Sequence, residues 1–250
     1  MLSDLSVLHV LVVLATYMFA ATAKGITGLG FSTTCLPILT LAIGLKEALP
    51  LVIIPSIWSN LIVMRQAGRL SETLGRFWPM LLALLPGLVF GLWILSRIHG
   101  AQAGAVLGVM LILWCAFSFL NPELRLPLKL ERPLAPVIGC LTGVINGVTG
   151  SQVVPAVPFL MSLHLDRNLF IQAVNCSFTL SSVVMAIGLS QLGLFETSDV
   201  LLSGLGACFV IFGVQFGVAI RRRLSEALFR NAILLILSIM GLSLLVPVFA

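Results

Sequence analysis

Apolar residues run along this chain in ten blocks, separated by short polar or glycine-bearing breaks. None of the blocks has the period-2 polar alternation of a membrane β-strand. They predict ten helical elements, at 5–24, 31–45, 47–65, 75–95, 101–120, 134–149, 151–163, 168–190, 199–220 and 229–249. A spanning helix needs about 20 mostly apolar residues. The pieces at 31–45, 134–149 and 151–163 are short for that crossing at about 1.5 Å per residue. The first element, 5–24, is long enough. The short pieces adjoin breaks rich in Gly, Thr and Ser, at 25–34 and 147–152. The pattern leaves open whether elements one and two, and six and seven, cross fully or dip in and return.

Composition turns the pattern into a class. Hydrophobic residues are 59% of the 250 and charged residues 9%, with a mean hydropathy of +1.15. So few charges cannot cover a soluble fold of this size, against about 25% in ordinary domains. Disordered chains, disulfide scaffolds and nucleic-acid binders are excluded on the same ground. The class is an all-α polytopic membrane protein. Cys35, Cys115, Cys140, Cys176 and Cys208 all sit in apolar runs without C-x-x-C spacing, and His9, His99 and His164 are scattered. No metal, cofactor or catalytic constellation is expected. The first apolar run follows Asp4 and no Lys or Arg, the wrong flank for a cleaved signal, although 20–23 (Ala-Ala-Thr-Ala) could mimic a cleavage site. Trp58, Trp78, Trp93 and Trp114 are read as packing or interfacial anchors.

Charge gives orientation. The connections 64–76, 121–133, 164–168 and 221–230 hold 11 of the 14 basic residues. Counted alternately they fall on one side, which should be cytoplasmic, leaving both termini extracytoplasmic.

The chain also repeats itself. Residues 24–28 (Lys-Gly-Ile-Thr-Gly) match 146–150 (Asn-Gly-Val-Thr-Gly), and Pro37, Lys46 and Ser56 match Pro158, Arg167 and Ser177. Gly87 and Gly91 echo Gly213 and Gly217, a small-residue spacing that lets helices approach closely. The chain thus divides into a first repeat, 1–120, a cytoplasmic linker, 121–133, and a second repeat, 134–250. Five elements per half is an odd number, so the halves have opposite orientation. Inverted repeats with broken segments in matching positions are a pattern of secondary transporters.

The breaks supply the chemistry. Backbone left unpaired at a break is tolerated only against protein or a water-filled cavity. A helix starting after it points free N–H groups and a positive dipole end inward, which suits an anion. The candidates are Lys24, Gly25, Thr27, Gly28, Ser32, Thr33 and Thr34 at the first break, and Asn146, Gly147, Thr149, Gly150, Ser151 and Gln152 at the second. Ser59 and Asn60 on the third element and Asn175 on the eighth join them. These three rank lower, as do Ser56, Ser177, Thr179 and Ser181, because Ser, Thr and Asn side chains often bond between helices in bundles. Neither break carries a carboxylate, which argues against a cation substrate. Lys24 has two readings: countercharge to an anion, or a side chain snorkelling to an interface.

Three stretches carry a resemblance: 24–31 (K-G-I-T-G-L-G-F), 53–60 (I-I-P-S-I-W-S-N) and 143–160 (G-V-I-N-G-V-T-G-S-Q-V-V-P-A-V-P-F-L). They resemble the sulfite exporter TauE/SafE family, in order and over nearly the whole chain. The common G-G-G cluster before the proline is absent. The resemblance implies a bacterial inner-membrane transporter for sulfite, sulfoacetate or a related organosulfonate or organic anion, and no enzyme. With the inverted repeat, the expectation is a secondary transporter working by alternating access. The alternative is a membrane subunit or scaffold without its own substrate. The expected partners are a small anion and the lipid bilayer, not nucleic acid; a coupling ion and a homodimer are left open.

Overall fold

The computed structural model describes residues 7–27, 30–120, 124–195, 197–221 and 226–249. Every regular element among them is an α-helix. In chain order these are α1 (Val7–Thr27), α2 (Phe31–Ile43), α3 (Leu45–Ala67), α4 (Leu70–Arg97), α5 (Gly100–Leu120), α6 (Leu128–Thr149), α7 (Ala156–Ser162), α8 (Arg167–Gln191), α9 (Thr197–Arg221) and α10 (Glu226–Phe249). Seven of them, α1, α3, α4, α5, α8, α9 and α10, are long and apolar enough to cross a membrane. At 13 and 7 residues, α2 and α7 reach only about 20 Å and about 10 Å. Both are too short to cross.

Glycines set which helices touch. Lipid tails are as apolar as leucine, so helix association in a bilayer relies on close packing rather than on hydrophobic burial. A Cβ on Gly147 of α6 would come within 2.7 Å of the Gly91 Cα on α4. One on Gly25 of α1 would come within 2.9 Å of the Gly217 Cα on α9. So α6 lies directly on α4, and α1 on α9. Helix α3 packs on α8, and α5 on α10. Tyr17, Phe31, Leu84 and Leu88 fill the interior. Phe90 and Trp93 on α4 and Phe212 and Phe216 on α9 stay exposed, as lipid-facing side chains should.

Three helix starts differ from the sequence reading by five or six residues, the first being α4, which begins at Leu70 rather than 75. Helix α6 starts at Leu128 rather than 134, so Lys129, Glu131 and Arg132 are helical. The charges are tolerated because Arg76 of α4 meets the Glu131 carboxylate with two hydrogen bonds, at 2.6 and 2.8 Å. Pro133 and Pro136 omit two intrahelical bonds without ending the helix. Helix α7 starts at Ala156, not at 151. Pro155 explains the delay: the residue before a proline, here Val154, is pushed out of the helical region, whereas Pro158 falls in the first turn of α7, where its missing N–H costs nothing. Ser151 and Gln152 therefore do not open a helix, contrary to the expectation for the second break.

Candidate functional site

The first break lies between α1 and α2. Gly28, one of its candidates, falls outside the described residues. Gly30 sits at φ 93°, a left-handed conformation natural to glycine, and turns the chain into α2. Ser32, Thr33 and Thr34 occupy the first turn, and the Thr34 N–H donates to the Gly30 carbonyl at 2.9 Å. No side chain caps this end. The first N–H groups of α2 thus lack intrahelical acceptors, and the positive end of its dipole points into the break.

The second break begins where α6 ends. Gly150, at φ 72°, donates its N–H to the Asn146 carbonyl at 2.7 Å. Thr149 donates its hydroxyl to the Ile145 carbonyl and accepts the Ser151 N–H at 3.1 Å. The chain then runs non-helically past Gln152 to Pro155. A Cβ on Gly150 would come within 2.8 Å of the Leu36 Cδ2 on α2. The two breaks therefore meet.

Between them lies a cavity of about 20 Å³, whose polar lining is Ser32, Ser56, Asn146, Gly150, Gln152 and Ser182. That is room for about one water. The Ser32 and Ser56 hydroxyls are 2.8 Å apart, and Gln152 Nε2 donates to Ser182 Oγ at 3.3 Å. Both amide atoms of Asn146 and the Gln152 Oε1 are buried with no hydrogen-bond partner. Buried polar atoms are almost always paired, and an orphan costs about 1–3 kcal/mol. Three such orphans line one small cavity.

Lys24 turns inward. It is 1% exposed and donates to Asn60 Oδ1 and, at 3.2 Å, to Ser59 Oγ, both on α3. It does not reach an interface. Among the described residues no carboxylate pairs with it. The amine lines neither cavity of the site, but it is two hydrogen bonds from a wall residue of the small one: Ser59 Oγ, which accepts from Lys24, donates at 2.8 Å to the carbonyl of Ser56, whose hydroxyl is on the cavity wall. Asn60 Nδ2 has no partner.

A larger cavity, about 520 Å³, lies on the other side of the α2 start. Its inner end is formed by Thr27, Gly30, Thr33 and Thr34, and it extends to His164, Arg167 and Arg230 at the ends of α8 and α10 and the turn before α8. Its flanks include Trp114, Phe117 and Phe178. Successive residues of one helical turn thus serve two spaces, Ser32 the small one and Thr33 and Thr34 the large one.

The remaining candidates have structural partners. Gly25 and Gly147 are packing contacts, and Thr27 donates its hydroxyl to the Ala23 carbonyl at 2.9 Å. Asn175 is fully buried on α8, donates to the Ile171 carbonyl at 2.8 Å and lines neither cavity. Sequence reasoning missed Ser182, although it lies seven residues from Asn175 and so on the same helix face. It also read Arg167 as an orientation signal and the repeat match of Lys46, Arg230 only as an orientation signal, and Trp114 only as packing or an anchor. Among the described residues no group of three or more metal-ligating side chains forms.

The family model described as sulfite exporter TauE/SafE matches residues 13–244. No curated protein and no solved structure matches the chain. The chain belongs to the sulfite exporter TauE/SafE family, and it is a multi-pass membrane transporter of the anion-exporter kind.

Proposed function

We propose that this TauE/SafE family member is a secondary transporter that carries a small oxyanion or sulfonate across the bacterial inner membrane. Sulfite, sulfoacetate and related organosulfonates are the favoured substrates. The observation that carries the reading is the Asn146 Nδ2, a buried amide donor without a partner, on the wall that Ser32 and Ser56 share where the two breaks meet. Serine hydroxyls, an asparagine amide and the start of α2 all offer donors to an oxyanion. No carboxylate lines the cavity to bind a cation.

The volumes fit a protein caught closed around its site. The small cavity has room for a water, not for an oxyanion, so binding requires the breaks to part. The large cavity approaches from the Arg167 and Arg230 side, which the distribution of basic residues makes cytoplasmic. Alternating access would open the breaks first to that cavity and then to the opposite face. The helix pairing supports an inverted repeat as the frame for this motion. Exchanging the halves turns the α1–α9 contact into the α6–α4 contact, and Gly25 with Gly217 into Gly147 with Gly91. Both termini then lie outside the cytoplasm.

A thermal-shift screen of the purified protein tests the reading, with sulfite, sulfate, thiosulfate, methanesulfonate, taurine, sulfoacetate and simple carboxylates. A ligand that binds only the folded protein raises its melting temperature as its concentration rises. Stabilisation by one or more sulfur oxyanions is expected. A flat response to the whole panel favours a scaffold without its own substrate.

A further inference from the structure

We propose that the Lys24 amine is the proton-binding site that couples anion movement to protons: neutral when the transporter is closed and empty, protonated when an anion is bound. The inference rests on the transport reading above and adds the coupling ion to it.

The hydrogen bonds carry the argument. A protonated lysine has three N–H donors and a neutral amine has two. Lys24 has two acceptors, Asn60 Oδ1 and Ser59 Oγ, both neutral. That is the complement of the neutral amine, whose lone pair is left to take a proton. An ammonium in the same place would be an ion buried among neutral groups with one donor unused, a costly arrangement inside a membrane.

Among the described residues, the groups on the elements around Lys24 do not provide a countercharge. On α1, Tyr17 donates its hydroxyl to the Leu51 carbonyl. On α2, Cys35 is a buried free thiol. On α3, Lys46 donates to the Ile98 carbonyl, Glu47 sits in the first turn, and Arg65 is exposed. On α9, Cys208 is exposed, and Asp199 is in the first turn. Lys24 lies level with Val214, which its neighbour Gly25 touches, so Asp199 is about 22 Å away along the helix. On α10, Arg230 lines the far end of the large cavity. On α8, which packs on α3, Cys176 is a buried thiol and Asp166 caps the helix start. Among the described residues the carboxylates all fall at helix ends. An anion arriving between the breaks is therefore what would make the ammonium stable.

The connection to the cavity is also in place. Lys24 bonds Ser59, Ser59 bonds the Ser56 carbonyl, and Ser56 meets Ser32 on the cavity wall. The unpartnered Asn60 Nδ2 offers a further donor beside the amine. The step balances simply: the amine gains one proton from water as one anion enters, and releases it when the anion leaves.

Proton uptake is read with a pH-indicator dye in weakly buffered protein solution on addition of methanesulfonate or of sulfate, neither of which titrates near neutral pH. The expected result is uptake of one proton per methanesulfonate bound, with affinity falling as pH rises. In Lys24→Gln, residual binding should be independent of pH and without proton uptake; Lys24→Met, an apolar replacement for a buried chain, serves if the glutamine variant does not fold. Stabilisation of the parent by either anion without proton uptake overturns the proton site and leaves anion transport standing. Proton uptake that persists in the lysine variants also overturns it. No stabilisation by any anion contradicts the transport reading itself.

Discussion

Gly25 on α1 and Gly217 on α9 are in backbone contact: a Cβ added to Gly25 would lie 2.9 Å from the Gly217 Cα. Their sequence equivalents, Gly147 on α6 and Gly91 on α4, touch in the same way. The contact holds the end of α1, and with it Lys24, at a fixed depth. Alanine at either glycine of a pair must push two helices apart. Gly25→Ala and Gly147→Ala should each destabilise by about 1–3 kcal/mol, the usual range for overpacking. Melting temperatures in one detergent check this. Gly75→Ala, also inside a helix but with nothing within 4 Å of the added Cβ, is the control that should be neutral or stabilising by up to about 1 kcal/mol.

The Arg76–Glu131 pair ties α4 to the start of α6 with two hydrogen bonds, and Glu131 is only 9% exposed. Hydrogen bonds to charged groups are worth about 1.5–3 kcal/mol. The Arg69–Glu72 pair is nearly half exposed on both sides, and such pairs contribute about 0–1 kcal/mol. Arg76→Ala should therefore lower the melting temperature clearly more than Glu72→Ala. Equal shifts would mean that the pair does not hold the two helices together.

Much of this architecture was legible in the sequence. Ten apolar blocks gave ten helices because block length and glycine breaks are local properties. The start of α7 was misjudged because the apolar pattern continues through 153–155, while Pro155 pushes Val154 out of the helical region. The start of α6 was misjudged because its charged first turns depend on Arg76, 55 residues away. The site was only partly legible. Lys24, Ser59 and Asn60 stood out singly, yet their union is a contact between helices that no local pattern encodes. Ser182 and Trp114 gave no signal beyond a polar or aromatic position in an apolar run.

Arg167 and Arg230 line the far end of the large cavity. Positive groups at a cavity raise the arrival rate of anions, and salt screens the effect over about 10 Å at 0.1 M. Arg167→Gln and Arg230→Gln should raise the half-saturating anion concentration several-fold at low salt and leave the maximal rate intact. Proteoliposome flux measured at two ionic strengths checks this. A lowered maximal rate with unchanged half-saturation would place the arginines in the moving parts instead.

The basic connections predict extracytoplasmic ends. A cysteine introduced at position 2 or 250, on a background without other cysteines, should react with an impermeant thiol reagent on intact spheroplasts. Reaction only after lysis at both positions reverses the topology.

The central claim is that the meeting point of the two breaks binds an anion, with Lys24 as its countercharge and Asn146 as a neutral donor. The most direct test is the dissociation constant of the stabilising anion for the parent, Asn146→Ala and Lys24→Gln. Asn146→Ala removes one neutral hydrogen-bonding group, worth about 0.5–1.5 kcal/mol, or about two- to tenfold in affinity. Lys24→Gln removes the one full charge near a low-dielectric site, so its loss should be the larger while its melting temperature stays close to that of the parent. Parent-like affinity in both variants would contradict the account: Lys24 and Asn146 would then be structural, and the anion would bind elsewhere.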